Sequence, residues 1–367
     1  MTPTIRPADA ADAPGDPEAP REPEAPADPE AARDTEVPRD PEAARAGHRG
    51  RRGRSLALSA ALLALGIVLV GHGGLPDLPG RLSSLAETVL PWSGLAIPAL
   101  AAPALLRRSR TATAALVLPV AAWLTVFAGT LADKSAPGGD LTVVSHNVNQ
   151  DNPDPQATVR SLIASGADIV ALQELSPDTA PAYERALAAT YPHHFYEGTV
   201  GLWSTRPLRN ARALPIMPWT RALRATADTP AGPVAVYVAH LPSVRVGATG
   251  FTSGTRDEAA GLLAGFLRAE RSPRVLVMGD FNGSTDDRGL RPLTAGMASA
   301  QSTSGEGFGL TWPASFPLVR IDQILLKGAR ATGSWTLPAT ASDHLPVAAR
   351  VDLGPGPSAA DGSRPAG

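Results

Sequence analysis

A mixed α/β domain preceded by membrane-spanning helices is the architecture that this sequence predicts. Three observations predict it. Composition changes sharply near residues 54 and 140 of the 367-residue chain. Between those points lie three long, uncharged apolar stretches. Beyond them, short apolar runs alternate with amphipathic segments, and several of the runs end on polar residues.

Residues 1–54 repeat a Pro-Glu-Ala theme with almost no large apolar side chain. Such a segment cannot bury enough surface to offset chain entropy, so it reads as a disordered cytoplasmic tail. It closes on a basic cluster, Arg45, Arg49, Arg51, Arg52 and Arg54. Residues 55–132 follow as a membrane region with three helices, at about 55–71, 89–106 and 111–132. The first is about as long as the shortest spans, and membrane helices tolerate the prolines of the second. Ala-rich buried helices of a soluble protein are the competing reading. The basic cluster precedes the first span, and Arg107, Arg108 and Arg110 separate the second from the third. Both groups belong on the cytoplasmic side, so three crossings place everything after residue 132 outside the plasma membrane. Residues 133–140, DKSAPGGD, form an eight-residue linker, with a reach of about 26–29 Å. Residues 355–367 form a second disordered tail.

The domain itself spans 141–354. LTVVSHNV (141–148), DIVALQEL (168–175), GPVAVYVAHL (232–241), RVLVMGDFN (274–282), RIDQILL (320–326) and a final VAARVDL read as strands. Asp154 then Pro155 starts a helix with Val159, Leu162 and Ile163 on one face. Thr255 and Glu258 form a capping-box pattern ahead of Leu262, Leu263, Phe266 and Leu267.

The polar strand ends carry the chemistry. Asn147, Glu174 and His240 end three strands, Asp280 and Asn282 end a fourth, Asp322 opens a fifth, and Asp343 and His344 precede the last. Each has an ordinary reading alone: a turn cap, an edge charge, a structural histidine. Repetition at so many strand ends favours a shared site. The chain has no cysteine, which excludes disulfides and thiolate metal sites. Carboxylates and a carboxamide are hard oxygen ligands, suited to Mg²⁺ or Mn²⁺ rather than zinc. An Asp beside a His suits proton transfer, and the set as a whole suits metal-assisted phosphoester hydrolysis. Neither a G-x-S-x-G nucleophile elbow nor a phosphate-cradling G-x-x-x-x-G-K motif is present.

SHNVNQ, DIVALQEL, GLWSTRPL, VYVAHLPS, MGDFNGS, RIDQILL and SDHLPVAARV, in this order, resemble the motifs of the endonuclease/exonuclease/phosphatase superfamily across about 140–353. The resemblance implies a four-layer α-β-β-α sandwich with the site at one end of two central sheets. It implies Glu174 as principal metal ligand, with Asn147 and Asp343 near the same ion. It implies that Asp280 orients or deprotonates the attacking water or assists the leaving group, and that Asn282 binds the scissile phosphate. Asp322 would pair with His344, and His240 would stabilise the pentacovalent phosphate. Gln323 and Trp203 depart from the residues common at their positions, which places substrate preference in question.

Residues 140–354 carry 18 Lys and Arg against 19 Asp and Glu, so no basic excess marks a grip on a long nucleic acid backbone. A local patch of Arg206, Arg209, Arg212, Arg221 and Arg224 keeps a nuclease open as the alternative. The combination of spans and domain is similar to membrane proteins associated with teicoplanin resistance in actinomycete-like bacteria. That resemblance implies the lipid bilayer as partner and a small or lipid-linked phosphate or pyrophosphate as substrate. A catalytically dead binding module is the third reading. Oligomeric state is not legible.

Overall fold

A computed structural model describes residues 41–354 apart from 75, 77, 78 and 249. The expected tails at 1–40 and 355–367 lie outside the described residues. The chain opens with helices α1 (Pro41–Gly71), α2 (Leu82–Thr88), α3 (Ala96–Leu106), α4 (Arg110–Ala115) and α5 (Val117–Leu131). α1 begins well before the uncharged stretch at Ser55, because Ala and Arg are good helix formers and the glycines at 47, 50 and 53 do not interrupt it. Two helices, Arg49–Gly74 and Arg110–Leu131, are long and apolar enough to cross a membrane. The expected middle span, 89–106, starts at a bend: Pro79–Thr88 and Leu90–Leu106 meet at 77°, and only together do they pass as one span.

These helices pack as a bundle. Gly66 lies against Leu118, and Leu69, Leu90, Ala122 and Phe127 share one apolar cluster. α1 and α5 therefore run side by side in the same direction. Trp123 donates from its indole nitrogen to the Pro91 carbonyl at 3.3 Å and covers Gly94, while the short Arg107–Ser109 turn joins Leu106 to α4, so the segment from Leu90 to Leu106 runs antiparallel to α5.

The rest of the chain forms β1 (Leu141–Asn147), α6 (Pro155–Ala164), β2 (Ile169–Gln173), α7 (Ala180–Leu187), β3 (His193–Glu197), β4 (Val200–Ser204), β5 (Leu208–Ala213), β6 (Ala222–Thr229) and β7 (Gly232–His240). A short pair, β8 (Val246–Gly247) and β9 (Gly250–Phe251), precedes α8 (Gly254–Ala269). Then come β10 (Val275–Asp280), α9 (Arg291–Thr294), β11 (Ala298–Ser299), α10 (Ala300–Ser304), β12 (Asp322–Lys327), β13 (Arg330–Thr336) and β14 (Val347–Asp352). Two six-stranded sheets result, ordered β13-β14-β1-β2-β4-β3 and β11-β12-β10-β7-β6-β5. β1 pairs with β2, and β7 with β10, in parallel, and the other pairs are antiparallel.

Strand alternation explains the layers. Val143, Ile169 and Ala171 of one sheet meet Val236, Leu276 and Ile324 of the other in the central core. Val144, Val170 and Leu172 point the opposite way, onto Val159 and Leu162 of α6 and Tyr183 and Leu187 of α7. Val275 and Val277 likewise face Ala259, Ala260 and Leu263 of α8. Both faces of each sheet are covered, so the strands read as near-continuous apolar runs. Each fully buried Val, Leu or Ile contributes about 1.5–3 kcal/mol. The result is a four-layer α-β-β-α sandwich.

Helix faces differ from expectation in detail. Asp154 caps α6 by accepting from Ala157 N at 2.8 Å, but Ile163 is exposed beside buried Val159 and Leu162. α8 begins at Gly254, with Ser253 as its N-cap residue, so Thr255 lies inside the helix. Leu262 is exposed while Leu263 is buried. The helix is turned so that Arg256, which is fully buried, reaches a carboxylate on the loop after β10.

Arg256 is the hub joining helices to sandwich. Its Nη1 donates to Asp287 Oδ2 at 2.6 Å and to the Asn282 carbonyl at 3.0 Å. Its Nη2 donates to Asp257 at 2.6 Å and to Ser84 Oγ of α2 at 3.3 Å, and Ser84 donates to Asp287 at 2.6 Å. Glu87 of α2, also buried, accepts from Arg288 Nη2 at 2.7 Å and from the Arg288 backbone at 2.8 Å. The linker is stitched down as well: Ala136 N donates to the Thr332 carbonyl at 2.7 Å, and Asp140 N to that of Val351 at 2.8 Å. The sandwich is thus docked on α2, not hung on a free eight-residue tether. Replacing Asp287 with Ala strands a buried guanidinium, and such losses cost about 3–5 kcal/mol. Denaturant unfolding of the full chain in detergent is expected to show a deficit of that order; one below about 1 kcal/mol would mean that Asp257 alone satisfies Arg256.

Candidate active site

Register builds the first row of the site. Asp280 at the end of β10 pairs with Asp322 of β12 on one side and with His240 of β7 on the other. Directly paired residues project to the same face, so three polar side chains from neighbouring strands stand together at one sheet end. Gly279, one residue earlier, lets the strands close there. Its φ is 154°, and a Cβ would fall 1.8 Å from the Ala239 carbonyl oxygen. Any other residue would push β7 away from Asp280.

The other sheet supplies the second row. Asn147 ends β1, and its Nδ2 donates to Glu174 Oε1 and to Asp280 Oδ2, both at 3.0 Å. Its Oδ1 accepts from Asn149 N at 3.0 Å. Glu174 follows β2 with φ 61°, a left-handed conformation unusual for a non-glycine residue and typical of functional turns. Its Oε2 accepts from Gln150 N at 3.3 Å. Asn282 is also left-handed, φ 49°. It is not a continuation of the strand, because β10 stops at Asp280. Its amide donates to the Leu241 carbonyl at 2.9 Å and to Asp280 Oδ2 at 3.3 Å, so it still converges on Asp280. Phe281 between them is buried in the α8-side core.

His344 completes the group. Its Nδ1 lies 2.9 Å from Asp322 Oδ2, and its Nε2 lies 3.9 Å from Asp280. Ser342 binds the two halves together, donating to the Asn147 carbonyl at 2.6 Å while accepting from His344 N at 3.1 Å. Asp343 is placed differently from its neighbours. Its side chain is exposed and accepts from Trp312 Nε1 at 3.1 Å, and it joins neither metal-competent group. Trp203 lies in the α6/α7-side core, stacked on Tyr196 and His194.

Burial and charge set the protonation states. Burial works against a charged His344, but the Asp322 carboxylate, by charge and hydrogen bond, reverses this and raises its pKa to about 10, with Asp280 and Asp343 adding to the effect. Burial raises Asp280, and the charge of Asp322 adds to the rise, while His344 and hydrogen bonds from Asn282 and Asn147 oppose it. Burial, with the positive charges of Arg221 and His344, holds His240 well below its ordinary range, so His240 is neutral.

Among the described residues, two groups of side chains could hold a metal ion: Glu174, His240 and Asp280, and Asp280, Asp322 and His344. The donor chemistry separates them. A histidine kept protonated by Asp322 has no lone pair to offer. Glu174, Asp280 and neutral His240 present two carboxylates and an imidazole, with Asn147 beside them, and this set fits a divalent cation.

Three members of the neighbourhood were given no place in this site by sequence reasoning. His146, fully buried beside the dyad, is held neutral with a pKa lowered to about 3 by burial, and contacts Thr340 Oγ1 at 3.0 Å. Arg221 donates to the His240 carbonyl at 2.8 Å and faces Asp280 and Glu174 electrostatically. Arg256 holds the Asn282 carbonyl. His146 sits within the SHNVNQ motif but was not singled out from it, Arg221 was read only as part of a basic patch, and Arg256 sits in a helix whose local pattern marks no such role.

The raised pKa of His344 has a definite sign. The Asp322 pair contributes stability fully present below the unfolded histidine value near 6.5, and that stability is lost as pH rises through about 10. In metal-free protein the His344 ring resonances are expected to stay constant from pH 6 to 8 by NMR, and Asp322→Asn should return them to titrating near neutrality. Wild-type titration near 6.5 would show that the pair does not hold the proton.

Residues 144–344, more than half of the chain, match the Endonuclease/Exonuclease/phosphatase family. No curated protein matches the chain. Similar solved structures include a humanized D. rerio TDP2 carrying 14 mutations, 20% identical over 58% of this chain and 98% of that one, TM-score 0.49. They include the mannosyl-6-phosphatase Bt3783 of Bacteroides thetaiotaomicron VPI-5482, 16% identical over 57% and 99%, TM-score 0.48. Sphingomyelinase C from Streptomyces griseocarneus is 19% identical over 57% and 98%, TM-score 0.44. With the motif residues gathered at one end of a two-sheet sandwich and the family match running from the first strand to His344, the chain belongs to the endonuclease/exonuclease/phosphatase family of phosphoester hydrolases, which use divalent metals.

Proposed function

We propose that this chain is a membrane-anchored, Mg²⁺-dependent phosphohydrolase or phosphodiesterase that cleaves a lipid-linked phosphoester or pyrophosphate at the outer face of the membrane. The observation that carries the reading is the convergence of Asn147, Glu174, His240, Asp280, Asn282, Asp322 and His344 on one sheet end. Glu174, the most exposed carboxylate of the set, would hold the ion with Asp280 beside it, leaving the His240 ring to the phosphoryl group. Turning the Asn147 amide would add its oxygen at the cost of the bond from Asn149. Asp343 would have to leave Trp312 to take part. When bound, Mg²⁺ (or Mn²⁺) supplies Lewis-acid polarisation of a phosphoryl oxygen.

The residues account for the proton movements. Asp280, with its pKa raised by burial, takes a proton from the attacking water. The water oxygen bonds to phosphorus as the ester P–O bond breaks. His344, kept protonated by Asp322, gives its proton to the departing oxygen. Asn282 and neutral His240 hydrogen-bond the phosphoryl oxygens as charge builds on them.

Two features support the lipid over the nuclease reading. Arg209 pairs with Asp228, Arg224 with Glu270 at 3.0 Å and Arg206 with Asp168 at 3.7 Å, and Arg221 is committed to backbone carbonyls. The expected patch is therefore largely neutralised. The helix packing supports three crossings. Gly66 is level with Leu118, so Arg54, about three turns earlier, is level with the Arg107–Arg110 turn. Both basic groups then share one end of the bundle, while Ser84 and Glu87 at the other end meet the sandwich.

Spheroplasts carrying the full chain are expected to hydrolyse externally added lipid phosphates and pyrophosphates in Mg²⁺, to lose that activity to external protease, and to lose it by on the order of 10²-fold or more with Glu174→Gln. Activity on DNA but not on lipid phosphates would select the nuclease. Protease-resistant activity confined to lysed cells would reverse the topology.

A further inference from the structure

Where the helices meet the loop before β12, two adjoining cavities are left that the strand-end cluster does not use. One is a polar recess of about 150 Å³ with Ser284, Asp286, Arg320 and Gln323 in its walls. The other is a groove of about 430 Å³ between Trp92, Leu95, Ile97, Trp123 and Leu124, within the range of small-molecule sites. Pro91, Phe308 and Leu310 line both.

The recess holds polar groups with nothing to bond. Among the described residues, no carboxylate forms an ion pair with Arg320, and its Nε is enclosed without a hydrogen-bond partner. Asp322 and Asp286 act on it only at longer range, and burial draws its pKa down to about 9, which leaves it charged at neutral pH. Gln323 is 1% exposed, and its Oε1 has no partner, nor has Ser284 Oγ. Such groups are costly unless something bonds them. A guanidinium matches phosphate oxygens, and the two neighbouring oxygens suit the water that accompanies a phosphate. Asp286 also lines the recess; burial raises its pKa, which moderates its repulsion of an anion.

The groove has the opposite character. Its walls are apolar side chains of the Leu90–Leu106 segment and α5, which share the composition of membrane helices, and Leu95 and Leu124 are exposed. Phe308 closes it from the sandwich side, its ring 6.4 Å from that of Trp123 and 5.6 Å from that of Phe127. The same loop reaches the reacting residues. Thr311, next to Leu310, accepts at Oγ1 from Asp322 N at 3.4 Å, and Trp312 holds Asp343. Trp92 Nε1 donates to the Leu318 carbonyl at 2.6 Å, which fixes the loop to the helices.

We propose that recess and groove bind one molecule, a single-chain lipid diphosphate, with its hydrocarbon chain in the groove and its chain-side phosphate on Arg320. In this arrangement the outer phosphate would extend past Arg320 toward the strand-end cluster, in the direction of Asp322, whose charge acts on Arg320. The assignment rests on the phosphohydrolase reading and names its substrate class. Gln323, the departure noted in the RIDQ motif, becomes part of the phosphate recess.

The test uses the full chain in detergent and an alkyl diphosphate bearing a diazirine on its chain, with the matching alkyl alcohol as control. Labelled peptides are mapped by mass spectrometry, and Mg²⁺-dependent hydrolysis is followed in parallel. Labelling is expected at residues 91–98 and 120–124, at least about tenfold weaker for the alcohol and for Arg320→Gln, and partly restored by Arg320→Lys. Inorganic pyrophosphate, lacking the chain, should compete poorly. Equal labelling by the alcohol, or labelling indifferent to Arg320→Gln, overturns the proposal, because the groove then holds bulk lipid. Hydrolysis without Arg320-dependent labelling sinks this site alone; Arg320-dependent labelling without any hydrolysis upholds the site and sinks the hydrolase reading.

Discussion

Two carboxylates in register, Asp280 and Asp322, face one another from neighbouring strands at the buried end of a sheet. They cannot both be charged in that place without nearby positive charge. His344 answers for Asp322 at 2.9 Å and stays protonated in consequence. Asp280 is left with a raised pKa, a distant His344 and the amides of Asn147 and Asn282. Glu174 adds another negative charge on the same side, bridged through Asn147. A divalent cation beside Glu174 and Asp280 is the natural complement, and the neutrality of His240 leaves its ring able to serve that side of the site.

Holding such a cluster in place requires support from behind. Gly279 allows β7 and β10 to approach where the polar strand ends gather. Arg256 grips the Asn282 carbonyl from within the sandwich and Ser84 of α2 from outside it. One buried guanidinium therefore links the turn that bears Asn282 to the helices. Stability and site geometry share this element, as expected when strained turns are fixed by over-determined surroundings.

The sandwich was legible because its central strands are apolar on both faces and end on polar residues. Val275 to Asp280 could be read in this way, and so could β1, β2, β7, β12 and β14. β3, β4, β5, β6 and β13, and the two-residue β8, β9 and β11, were not foreseen: at partly exposed edges such as HHFYE and LRNARA the pattern is weak. Helix phase failed at Ile163 and Leu262, where apolar residues face solvent because a neighbouring position already fills the core. The site was legible wherever it sat in a strand-end motif, from Asn147 to His344. Asp343 is the instructive member of that set. Adjacency to His344 in sequence sends its side chain the other way, to Trp312. The roles of Arg256, Arg221 and His146 went unread, although His146 lies in the SHNVNQ motif and Arg221 in the basic patch, because they come from long-range contacts that no local spacing encodes.

The central claim is that the Glu174–Asp280 end of the sheets holds a divalent cation for phosphoester cleavage. Anomalous diffraction from crystals of the full chain grown with Mn²⁺ tests it most directly. The account predicts a peak coordinated by a Glu174 oxygen, adjacent to Asp280, that disappears in Glu174→Gln. A peak lying instead between Asp322 and His344, or none near Glu174 at saturating Mn²⁺, would contradict it.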